Sequence, residues 1–202
     1  MVPSAVTTLV LATGNQHKAR ELAALLSPLR LRLVSLLDFP AVRPVAESGM
    51  TPAENARQKA CGYARQLAQW VLADDTALHV DALCGAPGVR STRYAGPHAT
   101  MAENRAKLLA ELADVPDPHR TARFVCHLAV ANPAGQIVAE AAGVCPGQIR
   151  RTPATGVYGF GYDALFEVSA CGQTLAELAP DMTAAVGHRG HAIRALLEQA
   201  WE

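Results

Sequence analysis

The sequence predicts an α/β fold, and three observations carry that reading. Thr7 to Ala12 is a continuous apolar run, the pattern of a strand covered on both faces. A Gly-containing turn, Thr13-Gly14-Asn15, follows it, and Leu22, Leu25, Leu26 and Leu29 then recur at helical spacing. The order repeats: Leu31 to Leu36 reads as a second strand, a helix begins near Thr51, and Val71-Leu72-Ala73 reads as a buried third strand.

The composition sets the scale. The chain has 202 residues, half of them apolar, enough for one domain with a substantial core, in one lobe or two. Lys plus Arg equals Asp plus Glu at 18 each, so a general nucleic-acid or membrane-binding coat is not expected and any anion site must be local. Five cysteines, Cys61, Cys84, Cys126, Cys145 and Cys171, are scattered with no CxxC pair. They read as reduced thiols of a cytoplasmic protein, not as a disulfide frame or zinc site. No targeting segment, membrane span, internal repeat or low-complexity linker is expected.

Taken in order, each element brings its own chemistry. Strand, Gly turn and helix is the arrangement that aims backbone N–H groups and a helix N-terminus at phosphate. Lys18 stands in the first helical turn, where the helix dipole disfavours a cation. It serves a bound anion or is a solvated surface lysine. No GxxxxGK[ST] loop occurs. Pro40 to Gly49 is loop and carries Glu47. Thr51-Pro52-Ala53-Glu54 is a strong helix start, with Thr as cap, Pro first and Glu three residues after the cap. On that helix, expected to run to about Trp70, Asn55 and Lys59 share a face and Arg57 points elsewhere.

The third strand is expected to end in Asp74 and Asp75. Neighbouring strand residues face opposite ways, so one of the two faces a given cleft. Such carboxylates suit a hard cation or general-base work on water, or they cap a strand-to-loop turn. Gly85, Pro87, Gly88 and Gly96 then shape a long non-helical loop in which Arg90 and Arg93 can meet an anion.

The second half supplies fewer charged candidates. Thr100 to Leu112 reads as a helix with Ala106, Leu109 and Ala110 among its apolar positions. Arg123 to Ala131, with Phe124, Cys126, Leu128 and Val130 alternating, turns at Asn132-Pro133-Ala134-Gly135 into Gln136 to Val144, a β-hairpin. His127 lies opposite Phe124 and reads as structural. Thr155 to Phe166 is a Gly and aromatic loop running into a strand. Phe160 beside Asp163 is either a seat for a nucleobase or a core ring in a glycine-bounded turn. His188 and Arg189 precede a last helix with Ile193, Leu196, Leu197 and Ala200. His188 and His191 form no zinc set, but two donors at the start of an element can read a carbonyl-bearing base edge.

Together these stretches resemble the inosine triphosphatase-like family of non-canonical purine NTP pyrophosphatases. The resemblance runs through Ala12-Thr13-Gly14-Asn15 with Lys18, Glu54-Asn55-Ala56 with Lys59, and Ala73-Asp74-Asp75-Thr76. It continues through Val80-Asp81-Ala82-Leu83, Gly85-Ala86-Pro87-Gly88, Arg93-Tyr94-Ala95-Gly96, Gly159-Phe160-Gly161-Tyr162-Asp163 and Gly187-His188-Arg189. It implies a long central mixed sheet flanked by helices, two lobes with a nucleotide cleft between them, and a homodimer. It implies hydrolysis of dITP, ITP and XTP to the monophosphate and pyrophosphate, with Mg²⁺.

The resemblance also implies roles. Thr13, Gly14, Asn15, Gln16, His17 and Lys18 would cradle the triphosphate, Gln16 and His17 mainly through backbone, and Lys59 would add a second cation. Glu47 and Asp75 would hold Mg²⁺, and Asp75 would activate the water. Thr76, where the family usually has Ser, would keep a hydroxyl near the phosphates. Phe160, Gly161, Tyr162 and Asp163 would bind the base, with Phe160 stacking, and His188 and Arg189 would donate to the purine 6-oxygen. Ala77 stands for a usual Gly, Ala164 for a usual Pro, and Thr183 for a usual Lys. A pyrophosphatase for modified pyrimidine nucleotides is a related reading. A nucleotide-binding module without turnover is the other class, and pyrophosphate release separates it from the enzyme.

Overall fold

The structure is a computed structural model that describes residues 8–200, with the side chain of Ala200 left aside. Thr7, expected in the first strand, lies outside the described residues.

The chain is α/β, as its pattern predicts. β1 (Thr8–Leu11), α1 (Gln16–Leu26), β2 (Arg32–Ser35), α2 (Pro52–Leu67) and β3 (Val71–Val80) alternate through the first part. β4 (Pro87–Gly88), α3 (Met101–Glu111), β5 (Thr121–Ala131), β6 (Ile137–Ile149), β7 (Phe166–Val168), α4 (Pro180–Val186) and α5 (His188–Ala200) follow. Among the described residues seven strands form one sheet in the order β2-β1-β3-β5-β6-β7, with β4 paired to β3. β1 is parallel to both β2 and β3, while β4 on β3 and β7 on β6 are antiparallel, so the sheet is mixed.

Two compact units divide the described residues. One holds residues 8–75, 126–143 and 189–200, and the other holds 76–125 and 144–188. The first unit has two cores, one for each parity of its strands. Leu9, Leu11 and Leu72 pack with Leu22, Leu26, Leu128 and Ile193. Val10, Ala12, Val71 and Ala73 pack with Ala56, Ala60 and Tyr63 of α2. This is why Leu9, Val10 and Leu11 are apolar at successive positions: both faces are covered. The second unit has one core, in which Phe124, Phe166, Tyr162 and Leu165 meet Leu108 and Leu112.

Some local expectations need correction. β3 does not stop at the carboxylates but runs on to Val80, so Asp74 and Asp75 lie mid-strand. α2 ends at Leu67, three residues early, because Ala68 turns left-handed with φ 50°. In α3 the buried positions are Asn104 and Leu108, and Ala106 and Ala110 are exposed. The loop after β3 is not wholly non-helical: it holds short 3-10 turns at Asp81–Leu83 and Ser91–Arg93 as well as β4. Arg90 and Arg93 are exposed there. The Thr51 capping box and the hairpin turn form as read. No helix among the described residues is long and apolar enough to cross a membrane.

Candidate active site

β1 lies between β2 and β3, its two parallel neighbours, and the chain leaves it first to one side and then to the other. Ligands of open α/β sheets bind at such switch points, beyond the strand C-termini. Here the end of β1 leads into Thr13, Gly14 and Asn15. Thr13 is buried, and its Oγ1 accepts from Asn15 N at 3.1 Å. Asn15 caps α1, its Oδ1 accepting from His17 N at 2.9 Å and Lys18 N at 3.4 Å. Residues 14–17 are exposed, so their backbone faces solvent at the helix N-terminus.

Mid-strand, the two aspartates of β3 divide the work by parity. Asp74 is 2% exposed, and its Oδ2 takes Lys18 Nζ at 2.9 Å and Arg189 Nε at 3.3 Å. Arg189 Nη1 in turn holds Glu21 at 2.8 Å. Burial pushes the Asp74 carboxyl up, but Lys18, then Arg189 and Lys59, outweigh burial and hold it well below the usual carboxylate range.

Asp75 turns to the other face. Its Oδ1 accepts from Lys59 Nζ at 2.9 Å, and its Oδ2 from Asn55 Nδ2 at 3.4 Å. Lys59 Nζ also donates to Asp74 O at 2.6 Å and forms an ion pair with Glu47 Oε2 at 3.2 Å. Burial lowers the Lys59 pKa, and Asp75, Asp74 and Glu47 more than reverse this, so it stays charged. For Asp75 burial dominates: it raises the pKa, Glu47 adds to the rise, and Lys59 opposes it.

Glu47 and Asp75 therefore converge on one cation. Among the described residues no group of three or more His, Cys, Asp or Glu could hold a metal ion. Two hard carboxylates nonetheless suit Mg²⁺, which takes one or two protein carboxylates and completes its shell with water and phosphate.

Of the residues expected to meet the base, Phe160–Asp163 and His188 belong to the second unit and Arg189 to the first. Phe160 N donates to Asp163 Oδ2 at 2.7 Å, and Asp163 N donates back to Phe160 O at 3.1 Å. Gly159 and Gly161 adopt φ of 78° and 65°, and a Cβ on Gly159 would sit 2.7 Å from Asp163 Oδ2. Only glycine permits this closed loop. Phe160 is half-buried, but Tyr162 is 3% exposed, with its hydroxyl donating to Ser91 O at 2.9 Å. Tyr162 thus anchors the loop in the core. His188 is buried and stacks on Phe124, ring centroids 4.8 Å apart. Thr76, half-buried, follows Asp75 in β3 and opens this unit.

Known proteins are similar to this chain over nearly its whole length. The Ham1 family model matches residues 9–199. The chain belongs to the Ham1 family. It is 50% identical to the dITP/XTP pyrophosphatase of Geobacillus kaustophilus over 96% of this chain and 94% of that one. It is 47% identical to the dITP/XTP pyrophosphatase of Desulforamulus reducens over 94% of each. Among solved structures, a HAM1 protein from Coxiella burnetii superposes with TM-score 0.83 at 39% identity, covering 96% of this chain and 99% of that one. A nucleoside-triphosphatase, dITP/XTP pyrophosphatase, from Mycobacterium abscessus gives 0.73 at 42% identity, covering 94% and 98%.

The structure thus gathers Lys18, Glu47, Lys59, Asp75 and Arg189 in one unit, and Phe160–Asp163 and His188 in the other. Sequence reasoning passed over Glu21 and Arg105. Glu21 had a signal, since it lies three residues from Lys18 on one face of α1. Arg105, which donates from Nη1 to Gly161 O at 2.6 Å, had none.

Proposed function

We propose that this Ham1-family chain hydrolyses non-standard purine nucleoside triphosphates, dITP, ITP and XTP, to the monophosphate and pyrophosphate. The observation that carries the reading is the convergence of Asp75 and Glu47, at 2.9 and 3.2 Å, on the Lys59 ammonium. The names of the relatives supply the substrate class.

Thr13 to Lys18 cradle the phosphates with backbone N–H groups and the Lys18 ammonium, and Lys59 adds its charge to the leaving pyrophosphate. Asp75 takes a proton from the attacking water as its oxygen bonds the α-phosphorus and the bond to pyrophosphate breaks. Burial favours this role, because it raises the proton affinity of Asp75. Mg²⁺, held by Glu47 and Asp75, would supply positive charge to the phosphate oxygens. Thr76 keeps a hydroxyl near the phosphates.

Phe160 stacks on the base within the loop closed by Gly161, Tyr162 and Asp163. His188 and Arg189 donate to the purine 6-oxygen, the plane of Arg189 being set by Asp74 on Nε and Glu21 on Nη1. Donors there accept a keto oxygen and oppose the amino group of adenine. The same reading makes the chain one domain of two lobes, a cytoplasmic homodimer.

The test is a panel of nucleoside triphosphates assayed separately for pyrophosphate and phosphate, with Mg²⁺ and with excess chelator. The expected result is pyrophosphate from ITP, dITP and XTP, little from ATP, and none under chelation. Stepwise phosphate release, full activity in chelator, or stoichiometric ITP binding without turnover would overturn the proposal.

A further inference from the structure

The loop proposed to seat the base turns on two glycines. Gly159 and Gly161 flank Phe160, both with positive φ. Two glycines bracketing one ring give a hinge unless something outside the loop holds it. Asp163 ties the Phe160 backbone from within, and Tyr162 pins the far end to Ser91 O. The peptide between these ties, at Gly161, needs a third.

That tie comes from α3. Met101 and Arg105 are four residues apart and share a helix face. Both reach Gly161: a Cβ there would lie 3.6 Å from Met101 Cε, and Arg105 Nη1 donates to Gly161 O at 2.6 Å. The bond is charge-assisted, the stronger kind of hydrogen bond. The adjacent Asn104, fully buried, fixes α3 itself, accepting from Ala95 N at 2.8 Å and donating to Thr92 O at 3.0 Å. The helix is thus a rigid mount and Arg105 its arm.

We infer that Arg105 is a positioning residue, which sets the pose of Phe160 by holding the Gly161 carbonyl and so governs affinity for the base but not the phosphate chemistry. The inference rests on the reading of Phe160 as the base-stacking ring. Arg105 and the whole loop belong to the second unit, whereas Lys18, Glu47, Lys59 and Asp75 belong to the first. Loss of the arm therefore frees the loop without removing any charge from the phosphate group of residues.

The experiment compares Arg105→Ala, Arg105→Gln, Arg105→Lys and Phe160→Ala with the parent chain. It measures KM and kcat for ITP, and the inhibition constant of inorganic tripolyphosphate, which has no base. Arg105→Ala is expected to raise KM about tenfold, the value of one charge-assisted hydrogen bond at its lower end. The kcat and the tripolyphosphate constant should stay within about twofold. Arg105→Lys should recover most of the lost affinity and Arg105→Gln less. The Lys and Gln variants alone carry the test if Arg105→Ala does not fold. A raised KM in Phe160→Ala with none in the Arg105 variants would overturn the inference alone. So would parallel losses in kcat and tripolyphosphate binding on replacing Arg105, which would mark a general loosening. An unmoved KM in Phe160→Ala would overturn the base-loop reading, and the inference with it.

Discussion

Asp74→Asn isolates the charge at the centre of the ion cluster. Asparagine keeps the volume and removes the charge. Lys18, with 18% of its side chain exposed, and Arg189, with 4%, then share one carboxylate fewer, although Arg189 keeps Glu21. Breaking a buried ion pair by removing one partner costs about 3–5 kcal/mol. Because Glu21 remains and Lys18 reaches solvent, the lower end applies, about 3 kcal/mol. In a chain of 202 residues this lowers Tm by about 6–12 °C. The sign with pH follows from the depressed pKa of Asp74. A carboxylate with a lowered folded pKa contributes stability that is fully present above its unfolded value, about 4, and is lost as pH falls towards the folded value. The gap between parent and variant should therefore be constant between about pH 7 and 5 and narrow below about pH 4. Thermal and urea melts at fixed ionic strength, with chelator present, measure it. A variant that melts within a degree or so of the parent at pH 7, or a gap that does not narrow in acid, would refute the reasoning.

Two further variants test other parts of the molecule. Asp75→Asn should lower kcat for ITP by about 10²–10⁴, the span of general-base catalysis, while calorimetry shows nucleotide binding largely intact. Near-normal kcat would remove Asp75 from the chemistry. Gly147→Ala places a Cβ against the Glu167 carbonyl and the Phe166 ring, so it should destabilise by about 1–3 kcal/mol, read as a lower urea midpoint. An unchanged midpoint would show that β6 and β7 part there without cost.

The legible parts of the fold were those with local causes. β1 announced itself because both its faces are apolar, and α2 because Thr51, Pro52 and Glu54 build a cap from neighbouring residues. The course of β3 was hidden. Two aspartates interrupt its apolar run, and a charge in a strand interior reads locally as an end. It is tolerated because Lys18 and Arg189, 56 and 115 residues away, neutralise Asp74. Pairs at such separation leave no local trace. The face of α3 was hidden for a related reason. Asn104 is buried because it binds the backbone of the loop at Thr92 and Ala95, and a polar residue with distant partners looks like a solvent position. At the site, the family pattern gave residue types and order, but not the split by which Asp74 organises cations and Asp75 shares one with Glu47.

That split has a consequence for how an anion can enter. Lys18, Lys59 and Arg189, three cations, face four carboxylates, Glu21, Glu47, Asp74 and Asp75. The cluster carries one net negative charge when all are ionised, and burial together with Glu47 already raises the pKa of Asp75. On this count the side chains offer a triphosphate no net positive charge, in spite of the two lysines. Each lysine is also engaged, Lys18 by Asp74 and Lys59 by Asp75 and Glu47. A divalent cation shared by Glu47 and Asp75 would reverse the sign of the whole and release the Lys59 ammonium towards phosphate. Metal and nucleotide binding are then thermodynamically linked, each raising the affinity for the other. The charge count of these side chains thus supports the divalent-ion dependence proposed for this chain.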